Sequence, residues 1–269
     1  MAGFLRGGQM SSIRLSIVFF AAMLGAAAAG MLLRRVLPEH HTDAASNDAV
    51  LRAVGLVVTL TALVLGFFVN SAKTYYDAVS NDLKEIGADV SVLDRSLQRF
   101  GPEATPARTL LRQSTGAAVR LLWPEHATPL PPADRSLPID GLEQLEDAVR
   151  ALPAEDDRRR HLKEQALSYT AAMEHESLLL GEIAATRLQL PLMLILLSWL
   201  VIIYMGFGLV WPRTGTAIAA LVMSAAACTG AILMILELSS PLHGIVRISP
   251  AVLEAPLTRG ETAPTSVMP

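Results

Sequence analysis

Several short runs carry side chains able to do chemistry. Glu39, His40, His41 and Asp43 offer carboxylate and imidazole ligands on one loop, and adjacent histidines on a loop can both reach one metal ion. No second ligand group follows at a helical i, i+4 offset, so the spacing predicts a hydrated interfacial loop rather than a metal site. Glu174-His175-Glu176 holds ligand types too, but consecutive residues on a helix point in different directions. Arg158-Arg159-Arg160-His161-Leu162-Lys163 could attract anions or anionic lipid. Asp156, Asp157 and Glu164 flank that run and predict a solvated helix face with local charge pairing.

Glu237 is different in kind. It follows an apolar run of about twenty residues, and a carboxylate at membrane depth is expensive. It also precedes a distinctive polar exit containing Ser239, Ser240, Pro241, His243, Gly244 and Arg247. At a helix C-terminus the macrodipole disfavours negative charge. Glu237 is therefore expected to pair with Arg247 or to cap backbone amides of the Pro241–Gly244 turn; an ion- or proton-binding role is the alternative. No Ser/His/Asp or Cys/His arrangement, phosphate loop or HExxH run is present. The expectation is a protein that is not an enzyme, with no cofactor and no metal.

The elements that must position these residues are mostly apolar. Of 269 residues, 52% are hydrophobic and 17% charged, and the mean hydropathy is +0.41. This is the composition of a multi-span membrane protein. A net charge of −3 gives no basic field for nucleic acid. The single cysteine, Cys228, excludes an intrachain disulfide and any cysteine-built metal centre.

Residues 13–33, 50–69, 190–211 and 216–236 are each about long enough to cross a hydrocarbon core as a helix. The first begins after Arg6 and Arg14 and ends at Arg34-Arg35. A signal peptide with cleavage near Ala26-Ala27-Ala28 is the alternative, but the continuing apolar run and its double-arginine flank predict a retained span. Ala22, Ala26 and Gly30, like Gly25 and Ala29, recur at helical spacing and would let a neighbouring helix approach closely. In the second span Gly66, Phe67, Phe68 and Asn70 form a candidate pore constriction, with Ala62 and Gly66 leading to a polar end. Packing is the other use of such a stripe. Pro212-Arg213-Thr214-Gly215 turns the last two runs into a hairpin.

Beyond residue 70, Tyr76, Val79, Leu83, Ile86, Val90, Leu93, Leu97 and Phe100 alternate in steps of three and four. That is a heptad seam, so the second span continues as one helix for about 45 Å until Gly101-Pro102 stops it. Three further helices can cover the seam. One is Thr105–Trp123, with Leu110, Leu111, Ala118, Leu121 and Leu122 as its apolar face. After a loop carrying Pro129, Pro131, Pro132 and Pro138, a second opens at a capping box of Asp140 and Glu143 and presents Leu142, Leu145, Val149 and Leu152. A long third helix begins near Ala154, with Leu162, Ala166, Tyr169, Met173, Leu180 and Ile183 facing the bundle. Pro191 should kink or restart it at the membrane.

The predicted architecture is all-α, a four-span membrane protein with two transmembrane hairpins flanking an inserted helical bundle. Residues 1–70 form the first hairpin, 71–189 the extramembrane domain, 190–238 the second hairpin and 239–269 a tail. Four spans put both termini and the helical domain on one side. Flanking Arg6, Arg14, Lys73, Lys84, Arg187 and Arg247 favour the cytoplasmic side, while Arg34, Arg35, Arg52 and Arg213 lie opposite.

Five stretches taken together carry a resemblance. They are Leu33–His41, Leu65–Lys73, Leu93–Ala104, Phe207–Thr214 and Glu237–Ser249, and in this order they resemble bacterial membrane proteins labelled bestrophin-like, a domain of unknown function. The similarity covers nearly the whole chain. One departure is Leu242, where that family usually has an aromatic after the proline. The resemblance implies a bacterial inner-membrane protein and a homo-oligomeric, pentameric channel or transport protein for a small anion. No pore or calcium-clasp residue carries over from bestrophins. A membrane-anchored scaffold or sensor, binding a partner through its helical domain, is the alternative. The partners expected are the lipid bilayer and other copies of the chain, without nucleic acid.

Overall fold

The computed structural model describes residues 8–38, 44–123, 137–185, 190–212, 214–242 and 244–259. Among these every regular element is helical. The helices are α1 (Gly8–Val36), α2 (Ala44–Phe100), α3 (Thr105–Leu122), α4 (Leu137–Arg150), α5 (Asp157–Ala185), α6 (Leu190–Val210), α7 (Gly215–Leu238) and α8 (Ala251–Arg259), with a 3-10 turn at Pro102–Ala104. Four of them, α1, α2, α6 and α7, are long and apolar enough to cross a membrane.

The chain divides into two compact units. One comprises Met1–Tyr76 with Arg187–Val246, the other Asp77–Thr186 with Arg247–Pro269.

In the first unit α1 packs against α6 and α7. Its core includes Phe19, Met23, Ala27, Val54, Phe68, Leu196, Tyr204, Leu221 and Ile232. Lipid is as apolar as leucine, so close van der Waals packing must hold these helices together. Glycines make that possible. A Cβ at Gly30 would strike the backbone of Met205 and Leu209, and one at Gly208 would strike the Ala27 carbonyl. At the adjoining helix ends, Arg34 Nη1 donates to the Val210 carbonyl at 3.0 Å and to that of Trp211 at 3.4 Å. It satisfies carbonyls that α6 leaves orphaned at its C-terminus. Tyr204 and Ser224 exchange a hydroxyl hydrogen bond of 3.0 Å between α6 and α7.

In the second unit the heptad seam on α2 is a core: Val79, Leu83, Ile86, Val90, Leu93, Leu97 and Phe100 are all buried. Residues 70–86 lie within the uninterrupted helix α2. Gly101 ends the reversal with a φ of +119°, a value that L side chains rarely adopt. Asp94 on α2 and Arg108 on α3 then form a bidentate pair, with Nε to Oδ1 at 2.9 Å and Nη2 to Oδ2 at 3.0 Å.

Two details differ from the sequence reading. The buried face of α3 is Ala107, Leu111, Ser114, Thr115, Ala117 and Val119, while Leu121 is exposed. Small and hydroxyl-bearing residues serve because the helices approach closely: a Cβ on Gly141 of α4 would lie 2.9 Å from the Ser114 Cβ. The two hydroxyls are satisfied by the Leu111 carbonyl. The second difference is that α4 begins at Leu137, not at an Asp140 cap. Pro138 falls in its first turn, where the missing N–H is no loss.

The α5 helix starts where Asp156 caps it, its Oδ1 accepting from the Arg159 amide at 2.6 Å. The C-terminal segment joins this unit. Trp123, 2% exposed, donates from Nε1 to the Ile248 carbonyl at 2.9 Å, and α8 packs on α3.

Candidate functional site

The most apolar window of α2 has only 11% of its residues buried, against 39% for that of α6. Its covered side is Val54, Thr61, Phe68 and Ala72. Across the helix, Gly55, Thr59, Ala62, Gly66 and Asn70 are all exposed, and a Cβ on Gly55 or Gly66 would meet nothing within 4 Å. Leu56, Leu63 and Phe67 border this stripe and are also exposed. The stripe needs no bulky side chain of its own chain, so another helix can come close to it.

The sequence-predicted constriction is thus divided. Gly66, Phe67 and Asn70 lie on the open side, and Phe67 is 68% exposed. Phe68 is 7% exposed and belongs to the core of its own unit. Their rings are 6.4 Å apart at 60°, so any ring of aromatic side chains formed by several copies would use Phe67.

The exit segment is built around Glu237, which is 4% exposed near the end of α7. Its Oε2 accepts from the Ile245 amide at 2.5 Å. The carboxylate thus holds a backbone amide one position beyond the Pro241–Gly244 turn. Gly244 closes over it, since a Cβ there would run into Oε2. Pro241 is buried at the turn, and Ser239 donates its hydroxyl to the Ile235 carbonyl at 2.6 Å. Arg247 belongs to the second unit.

The remaining candidates separate in the same way. Glu39, His40, His41 and Asp43 lie outside the described residues, as do Arg213 and His243. Among the described residues no group of three or more His, Cys, Asp and Glu side chains could hold a metal ion. Three residues of the basic run, Arg159, Arg160 and Lys163, make contacts within their own unit. Arg159 lies 3.3 Å from Glu103 and over the Phe100 ring, Arg160 pairs with Asp157 at 2.7 Å, and Lys163 donates to the Leu152 carbonyl.

Glu174 and His175 are exposed, while Glu176 is half-buried. Desolvation pushes the Glu176 carboxyl up to about 7, with Asp89, Glu85 and Asp82 adding repulsion.

Sequence reasoning missed two features. Arg34 reads as a loop charge because its acceptors are backbone carbonyls far along the chain. A cleft of about 580 Å³ between α3 and α4 is lined by Thr109, Arg112, Gln113, Arg120 and Gln144; its arginines stand outside the apolar pattern that the sequence displays.

The comparisons with known proteins bear on the whole chain. No curated protein matches it. Among solved structures it is similar to a point mutant of a bacterial bestrophin homologue from Klebsiella pneumoniae. The TM-score is 0.61 at 15% identity, covering 93% of this chain and 97% of that one. At that identity the likeness is one of fold. The Bestrophin-like domain matches residues 20–253, which is most of the 269 residues. The four apolar helices, the long α2 and the match across both units have one explanation: the chain belongs to the bestrophin-like family of membrane proteins.

Proposed function

We propose that the protein is a homo-oligomeric ion channel whose axis is lined by the open face of α2. The observation that carries this reading is the stripe Gly55, Thr59, Ala62, Gly66 and Asn70, exposed on the least buried of the four spans. Membrane helices use small residues where another helix or an axis approaches, and a ring of Phe67 side chains would make a hydrophobic constriction. Gly66 and Asn70 lie beside it, with Phe68 acting from the core to hold α2 in place. A small anion is the permeant species that the bestrophin family suggests. The chain is then a channel and not an enzyme.

In this reading α1 with α2 and α6 with α7 are two transmembrane hairpins flanking the helical domain. Both termini and that domain face the cytoplasm across a bacterial inner membrane. Arg34 bears on the orientation. Its guanidinium is engaged by the Val210 and Trp211 carbonyls, which gives it a structural reason to be where it is. Discounting it weakens the one short-loop charge pair that opposed a cytoplasmic domain.

Mass measurement of the detergent-purified protein, followed by flux in liposomes, tests the proposal. A ring of copies with chloride flux that rises or loses gating in Phe67→Ala supports it. Cation flux instead would keep the pore and reject the anion. A monomer without flux would favour the alternative, a membrane-anchored scaffold that binds a partner through its helical domain.

A further inference from the structure

Glu237 Oε1 is a buried carboxylate oxygen with no hydrogen-bond partner among the described residues. Buried polar atoms are almost always satisfied, so an orphan on a residue only 4% exposed calls for a physical cause. The other oxygen does not share the problem, since Oε2 accepts from the Ile245 amide.

The surroundings make the imbalance larger. The carboxylate stands at the C-terminal end of α7, where the helix dipole already concentrates negative charge. The chain unwinds there, and the turn brings a second oxygen close. The position a Gly244 Cβ would take is next to Glu237 Oε2 and 3.7 Å from the Ser240 carbonyl oxygen. Glu237 Oε2, the Ser240 carbonyl oxygen and the C-terminal end of α7 thus all lie beside Gly244.

We propose that Glu237 and the nearby Ser240 carbonyl oxygen bind a monovalent alkali cation. In secondary transporters, unwound backbone carbonyls and half-helix C-terminal ends coordinate sodium ions. The charge count selects the valence: one carboxylate neutralises one positive charge, whereas a divalent cation takes several acidic ligands. The cation supplies a partner for Oε1, and it ties the end of α7 to the segment around Ile245. Such a site does not depend on conduction, because a non-conducting scaffold would bind the ion equally well.

The test is thermal unfolding of the full chain in detergent as sodium chloride or potassium chloride replaces choline chloride at constant ionic strength. The expected result is a saturable rise in Tm of about 4 °C or more for one of the two cations, reduced to under about 1 °C in Glu237→Gln. An equal rise in the Gln variant would overturn the proposal. So would a wild-type Tm that ignores both cations, whether it follows pH instead (a proton at the site) or not (a plain structural cap). Should the Gln variant fail to fold, binding of radioactive sodium to the wild-type protein decides. Saturable uptake of one ion per chain, displaced by excess cold alkali salt but not by choline, supports the site. Its absence with both sodium and a potassium tracer overturns it.

Discussion

The two halves of α2 solve opposite problems with one helix. From Val50 to Val69 its residues are mostly apolar and mostly uncovered; from Val79 to Phe100 its apolar residues are fewer and nearly all covered. In water, exposed leucine is penalised, so the second half confines its apolar residues to one seam and places α3, α4 and α5 in the same compact unit. In a bilayer the same exposure carries no penalty, and burial no longer reports what is important. The first half can therefore reserve a face for lipid or for other copies of the chain. Exposure marks a fault in one half and an offered surface in the other.

The comparison can be broken by mutation. Its strongest test is Leu93→Ala in the seam, at a residue 0% exposed. Truncation there should remove about 2–5 kcal/mol of stability, read from unfolding of the purified protein; a loss below about 1 kcal/mol would mean that the seam is not a packed core. Next comes Asp94→Ala. It leaves Arg108 without its bidentate acceptor and should lower stability by about 2 kcal/mol, with Arg108→Ala in addition costing little more.

A smaller effect separates the halves by pH. Glu176 has its folded-state carboxyl raised to about 7 from an ordinary value of 4.5. A raised carboxyl favours the folded state while protonated, so that contribution is present below about 4.5 and fades as the pH rises through about 7. Tm should fall between about pH 5 and pH 8 in the wild type, and Glu176→Gln should flatten that slope. The smallest effect is expected for Leu63→Ala on the open side of the span, where the residue is 72% exposed. Stability of the isolated chain should change by under about 0.5 kcal/mol. A loss close to that of Leu93→Ala would show that this face is packed after all.

How much was legible in the sequence follows the same division. The seam could be read because water forces apolar residues into steps of three and four, and Gly101-Pro102 marks its stop without ambiguity. The buried face of α3 could not, because Ser114, Thr115 and Ala117 carry no hydrophobic signature, while Leu121 carries one and points outward. Glu237 stands out as the first charge after a long apolar run. Its partner does not, since a backbone amide eight residues later leaves no trace in side-chain type. Arg34 is the converse case, a visible charge whose acceptors are invisible for the same reason. In the span, Phe67 and Phe68 look alike as letters. Only the position of neighbouring helices tells the core residue from the exposed one.

The close crossing of α1 and α6 has a consequence for how the protein is made. Arg34 and the Val210 carbonyl that it caps are 176 positions apart in the chain. At ordinary rates of synthesis, about 5–20 residues per second, α1 is complete on the order of ten seconds before its partner exists. During that interval Gly30 and Ala27 face lipid, or whatever else the membrane offers. The first two spans must wait in a form that neither aggregates nor closes on itself, and the waiting ends only when the last quarter of the chain arrives.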